Sequence, residues 1–502
     1  MFEYLRNVRI YFADRCADLS KTIGVRIYRA NRCAPTGAQR DRFTRRTSLL
    51  AIVVAAAAVV ACGDVRAAES TWKAGVAQKT ITPKKLMWMS GYGSRTAPAE
   101  GKADDLMAKA LVLEDADKTR VVLITLDLVG IDRATSQDIC KRLYEKYGFE
   151  RAQIAINCSH THCGPVVGTN LKAMYDIGES QWKLVDDYTE ALKQNVVTAV
   201  GDALKSLAPA DVYWGSGTAT FAVNRRENKE AEVPKLREEW KTLKGPNDHD
   251  VPVLAVYDPK GPLRAVAFGY ACHATTLSFQ NWSADYPGRA CNELQRRSLG
   301  AIALFWAGCG ADQNPIPRRT YELAEHYGKR LGEAVHSVLR DRDSKQMKPL
   351  AGRLTAEYTE IPLRFARTPT KAELETEAAK GNKYEQGRAK SLLAKLSAGE
   401  AVPTEYPYPV QTWRLGDGPR FVTLGGEVVV DYALRLKQEL GAKTTWVAGY
   451  SNDVMCYIPS RRVLGEGGYE GASSMTIYGM PSAWHAMLEE AIVKAVHEQG
   501  KR

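Results

Sequence analysis

Residues 152–168, AQIAINCSHTHCGPVVG, constrain this chain more than any other stretch. An apolar run of strand type at 153–157 leads into Ser159-His160-Thr161-His162, then into Cys163-Gly164-Pro165, which cannot prolong a strand. On extended backbone, residues two apart point the same way and lie about 6.6 Å apart, at roughly 3.3 Å per residue. His160 and His162 are therefore expected to converge just beyond the end of a buried strand, where open α/β sheets place their ligands. Two neutral imidazoles there suit a zinc ion, or one binds metal while the other meets a substrate. The competing reading is a pair of polar loop histidines.

The flanking sequence supports a buried sheet. Apolar runs at 120–129, 251–257, 263–270, 301–306, 421–424 and 445–448 read as strands, and 212–223 as one more. Helical periodicity marks 136–147, 181–206, 321–340, 428–440 and 482–498, with a charged helix at 229–243 and a polar one at 370–397 that is lid-like or plain surface. Residues 136–147 bridge two strands, which makes a βαβ unit. Several strands end in polar groups: Asp127, His160 with His162, His273, Asp312 and Glu427. Buried strands need no such endings, so a shared cleft at one sheet edge is the economical explanation. Asp127 is expected to orient a histidine from behind. Glu427 is a poor N-cap, which weakens the reading of it as a helix-start acid.

Charge does not point to nucleic acid. Residues 1–68 hold 12 Lys/Arg against 5 Asp/Glu, so most of the formal +11 sits there, and no basic stripe with interleaved aromatics follows. That first segment reads as a leader: Thr44-Arg45-Arg46 precedes an apolar run at 49–61, too short to span a bilayer, with a small-residue cleavage site at Val65-Arg66-Ala67. The chain is thus expected to be exported, periplasmic or secreted. A twin-arginine signal and lipidation at Cys62 are subsidiary readings. Seven cysteines follow the leader without a CxxC pair, which excludes a disulfide framework and a zinc knuckle while leaving room for one or two disulfides.

Taken together, Asn157-Cys158-Ser159-His160-Thr161-His162-Cys163-Gly164-Pro165 closely resembles the signature of neutral/alkaline ceramidases. So do Asn224-Arg225, His273-Ala274-Thr275, Gly425-Gly426-Glu427, and the run from Ser451 through Tyr457 to Tyr469-Glu470-Gly471-Ala472-Ser473. The resemblance covers nearly all of residues 69–502, in order, and is to that family's catalytic domain without its immunoglobulin-like C-terminal domain. It implies a zinc ion held by His160, His273, Glu427 and Tyr457. It also implies that His162 and Arg225 line the substrate and its oxyanion, with Tyr469 a further active-site tyrosine. The implied chemistry is hydrolysis, by metal-activated water, of the N-acyl amide of ceramide or a related N-acyl lipid.

One departure matters. Members with established activity carry Gly-Asp-Val-Ser-Pro-Asn, whose serine is implicated in catalysis; here the stretch is Gly310-Ala311-Asp312-Gln313-Asn314-Pro315. Asp312 lies nearest the missing hydroxyl and is expected to act as general base or to be structural. Cys309 is a poor substitute nucleophile. The expectation is therefore an α/β fold of mixed α+β character: one large domain over 69–502, with buried mixed sheets flanked by helices and a zinc site at the strand ends. Its partners are expected to be a small-molecule or lipid amide and, transiently, a membrane. The alternatives are a zinc hydrolase of another ester, phosphoester or sugar amide, and a non-catalytic secreted zinc-binding protein.

Overall fold

The computed structural model describes residues 72–259, 261–340 and 347–501. The leader and export readings over 1–68 lie outside the described residues. Residues 68–502 gather into one compact unit. It is mixed α/β, with several mixed sheets flanked by helices, as the sequence pattern predicts.

Its frame is a nine-stranded sheet. Across it run Ile302–Ala307, Leu263–Tyr270, Asp250–Tyr257, Ala208–Thr218, Trp72–Thr80, Met107–Glu114, Arg120–Leu126 and Ile154–Cys158, with the short Lys348–Pro349 beside Ala208–Thr218. The pairings of Ile302–Ala307 with Leu263–Tyr270 and of Arg120–Leu126 with Ile154–Cys158 are parallel. The second closes the expected βαβ unit through the helix Arg133–Tyr147, where Asp132 caps the start and Gly148, at φ +73°, ends it. Two long helices, Glu179–Lys205 and Tyr321–Arg340, and the unforeseen Asp285–Arg297 turn their apolar stripes to the sheet.

A four-stranded sheet packs on the other face: Leu354–Arg364, Glu405–Leu415, Arg420–Leu424 and Thr445–Ala448. Between the two sheets lie Trp72, Trp306, Trp413, Phe421 and Trp446, all essentially buried. Each such side chain contributes roughly 1.5–3 kcal/mol on leaving water.

The two edges of the large sheet meet through one side chain. Asn157 accepts from the Ala307 N–H at 2.8 Å and donates to the Gly449 carbonyl at 2.8 Å and to Ser451 Oγ at 3.1 Å. This buried amide clamps the end of the histidine strand, the end of Ile302–Ala307 and the loop after Thr445–Ala448 together. The polar strand endings converge for that reason.

Several expectations are corrected. The strand at 212–223 is two, Ala208–Thr218 and Ala222–Asn224, and the charged helix at 229–243 shrinks to Val233–Glu238. The polar helix at 370–397 is a pair, Lys371–Lys380 and Lys383–Ser397, because Thr370–Glu373 and Asn382–Glu385 each form a capping box. The seven described cysteines are all buried and unpaired, so the room left for disulfides is not used. Among the described residues no helix is long and apolar enough to cross a membrane.

Candidate metal centre

The histidine run does not work as an extended strand. The strand stops at Cys158, and His160 takes a left-handed φ of +61°, so the simple two-residue alternation fails at that point. The rings converge anyway, through a turn: His162 Nε2 lies 3.1 Å from His160 Nε2. Tyr450 and Asn452, on the loop that faces this strand, also hold positive φ, +50° and +66°. Such backbone costs about 1–3 kcal/mol per residue and persists only where its surroundings impose it. Here they do: His160 N–H donates to the Leu128 carbonyl, Asn452 N–H to that of Ile156 and Tyr450 N–H to that of Gly426.

His273 follows the strand Leu263–Tyr270 and points at the same place. His160 and His273 are set alike: the Nδ1–H of His160 donates to the Val129 carbonyl at 2.7 Å, and that of His273 to the Gly310 carbonyl at 2.7 Å. With Nδ1 carrying the proton, each Nε2 presents a bare lone pair. Gly310 is needed for this approach, because a Cβ there would lie 2.6 Å from the Cys272 nitrogen.

Glu427 and Tyr457 arrive as neighbours, paired in register across the short parallel strands Glu427–Val428 and Tyr457–Ile458. Glu427 Oε2 stands 3.1 Å from His160 Nε2 and 3.2 Å from His273 Nε2, buried and without a hydrogen-bond donor. Tyr457 Oη lies 3.4 Å from His273 Nε2 and accepts from Arg225 at 3.0 Å. Burial, with Arg225 behind it, pushes the His273 pKa down to about 4, and burial with the neighbouring imidazoles takes His162 well below its ordinary value. Both rings are therefore neutral at physiological pH.

His160, His162 and His273 together form a group whose ligand atoms all lie within 4.8 Å, close enough to hold a metal ion. His162 differs from the other two. Its Nδ1 is buried with no hydrogen-bond partner, and its one polar ring contact is from Nε2 to His160 Nε2. Its ring is held by packing: Tyr92 stacks edge-on at 4.7 Å, and Gly91, at φ +95°, leaves room that a Cβ would fill 2.4 Å from His162 Cγ.

Arg225 is cationic: burial alone would lower its pKa, but Tyr457 and Glu470 outweigh it, and Glu470 pairs with its Nε at 2.7 Å. Tyr469, 42% exposed, stands at the rim with its ring 5.2 Å from that of Tyr457.

Two of the carboxylates stand back from the histidines, and for Asp312 the geometry agrees with the structural one of its two readings. Asp312 is fully buried and both its oxygens are taken, one by the Val430 N–H and the other by Asn224 Nδ2, each at 3.0 Å. Burial pushes its pKa up to about 6. Its carboxylate starts the helix Val430–Leu440 and orients the strand before Arg225, so it faces the scaffold rather than the histidines. Asp127 accepts from the Met107 N–H at 2.9 Å, and backbone carbonyls orient the imidazoles in its place. Sequence reasoning missed Tyr450, whose ring lies 4.4 Å from that of His160; Glu470, which holds Arg225; and Tyr478, which bonds Glu427. Only Glu470 carried a signal, as part of the run quoted after Tyr469.

Fold and centre together define a class: mixed α/β proteins whose strand ends gather imidazoles, a carboxylate and a phenol around one point. Within that class, residues 72–299 are similar to the model of the N-terminal region of the neutral/alkaline non-lysosomal ceramidases. The neutral ceramidase of Drosophila melanogaster is 27% identical over 224 residues, 44% of this chain and 31% of that protein. For Drosophila pseudoobscura pseudoobscura the figures are 26% over 218 residues, 43% and 30%. The matched stretch thus spans about a third of the length of these relatives. The crystal structure of neutral ceramidase from Pseudomonas aeruginosa superposes with a TM-score of 0.64 at 20% identity, covering 86% of this chain and 75% of that one. A ceramidase complexed with C2 gives 0.65 at 18% identity, covering 86% and 76%. At such identities the likeness is one of fold. The family match contains His160, His162, Arg225 and His273, while Glu427, Tyr457 and Tyr469 lie beyond it.

Proposed function

We propose that this chain is a zinc-dependent amidohydrolase that cleaves the N-acyl amide bond of ceramide or a related N-acyl lipid. One observation carries the reading. Glu427 Oε2 stands 3.1 Å from His160 Nε2 and 3.2 Å from His273 Nε2, and each imidazole already has its Nδ1 against a backbone carbonyl, which leaves three acceptor atoms crowded on one point when the rings are neutral. That arrangement is repulsive by itself and is relieved by a cation. Ligand atoms about 2.0–2.1 Å from a tetrahedral zinc stand roughly 3.3 Å apart, so the spacing fits that ion.

His160, His273, Glu427 and Tyr457 would hold it. The ion would supply Lewis-acid polarisation of an amide carbonyl and acidification of water toward about pH 7. The chain's own groups do the rest. Arg225 and His162 flank the centre and donate to the oxygen that gains charge as the amide carbon becomes tetrahedral, where fixed donors contribute most. Glu470 keeps the guanidinium in place for that task. Tyr469 lines the approach at the exposed rim. Cys309 stays out of the chemistry, because it is fully buried and burial pushes its thiol up.

The test is a panel of N-acyl amides, carboxylic esters and phosphate esters, assayed with the metal-free and the zinc-restored protein. The expected result is amide hydrolysis that vanishes with the metal and returns with zinc. Turnover of esters or phosphate esters alone would move the chain to another class of zinc hydrolase, and undiminished turnover in metal-free protein would overturn the reading. The basic, apolar leader at 45–61 supports export, which cell fractionation checks.

A further inference from the structure

We propose that Tyr478 is a positioning residue of the metal centre, turning the Glu427 carboxylate so that one oxygen alone faces the histidines. The proposal rests on the metal reading above. The two oxygens have separate environments. Oε1 accepts a hydrogen bond from Tyr478 Oη at 2.5 Å, whereas Oε2 faces His160 Nε2 and His273 Nε2.

A glutamate cannot set this by itself. Its terminal torsion is broad and nearly two-fold, so the carboxylate plane takes its orientation from an outside partner. A freely turning carboxylate can meet a cation through one oxygen or two, and the second mode would occupy a coordination position that a reactant needs. Every other member of the set has a fixed partner: the Val129 carbonyl for His160, the Gly310 carbonyl for His273 and Arg225 for Tyr457. Glu427 is the ligand left to be fixed, and Tyr478 is the group that fixes it.

The tyrosine is itself well placed to do so. It ends the helical turn Ser474–Ile477, its N–H donates to the Ser474 carbonyl at 3.2 Å, and Gly479, at φ +73°, turns the chain away behind it. Its ring also packs edge-on against that of Tyr457 at 6.2 Å, so one side chain touches two of the four proposed ligands. Its other side forms a wall of a cavity of about 800 Å³, shared with Tyr175, Met455 and Met480.

The test is Tyr478→Phe in the full chain, which removes one hydroxyl. Zinc affinity of the metal-free protein is read by competition with a chromophoric chelator, and ligand geometry from the absorption spectrum of the cobalt-substituted protein. Zinc affinity is expected to fall about 10–100-fold, the usual cost of losing a partner behind a metal ligand. The cobalt bands are expected to shift, while the melting temperature of the metal-free protein stays near that of wild type. Equal affinity with superimposable spectra overturns the proposal. A second variant guards against a general packing effect: in a Glu427→Ala background, adding Tyr478→Phe should cost no further affinity, and a further loss of equal size also overturns it. Wild-type protein that takes up no zinc is a different result, and it overturns the metal reading itself.

Discussion

His160 and His273 are committed to one tautomer before any ligand arrives. Each spends its Nδ1–H on a backbone carbonyl, so replacing either ring by alanine removes a preset lone pair as well as a ligand. We expect His160→Ala and His273→Ala each to lose bound zinc, measured by elemental analysis, and to lose hydrolysis with it. Asp453 gives a separate prediction, about pH. It is buried beside Tyr406, whose hydroxyl donates to Oδ2 at 2.5 Å, and its Oδ1 has no partner. Burial raises its pKa to about 7. Between the unfolded value near 4 and that folded value, the native state holds a proton that the unfolded state has released, so stability falls as pH rises through this window. Asp453→Asn should therefore raise the melting temperature by a few degrees at pH 8 and by less at pH 5.

At the scale of elements, the site is made by short pieces in register more than by long ones. Two two-residue strands seat Glu427 beside Tyr457, and Asp312 ties the start of Val430–Leu440 to Asn224 at the end of the strand that precedes Arg225. Were Asp312 a general base, Asp312→Asn would cost about 10²–10⁴ in kcat. Its scaffold role predicts a lower melting temperature with kcat, per folded molecule, within about tenfold of wild type. Glu470→Gln should do the reverse, leaving zinc content intact while kcat/KM falls as Arg225 loosens.

These examples also show what was legible in the chain. Leu263–Tyr270, Thr445–Ala448 and Tyr321–Arg340 stand where apolar runs and helical periodicity place them. Leu354–Arg364 and Glu405–Leu415 escaped notice because their threonines, glutamates and prolines break the alternation, although they pair along their full length. Tyr450 and Tyr478 were illegible for a different reason. A tyrosine whose only signal is a contact with a residue far along the chain leaves no mark in local sequence.

Over the whole molecule, the centre joins two halves of the chain. His160, His162, Arg225 and His273 come from the part that matches the family model, and Glu427 and Tyr457 from the part beyond it. The Asn157 clamp, which reaches Ala307, Gly449 and Ser451, is what brings those halves to one point. The most direct test is a crystal structure of the zinc-loaded protein with anomalous data at the zinc edge. A single peak about 2.0–2.2 Å from His160 Nε2, His273 Nε2, Glu427 Oε2 and Tyr457 Oη is the predicted result. Zinc-loaded crystals with no peak there, or with His160 and His273 turned toward different points, would contradict it.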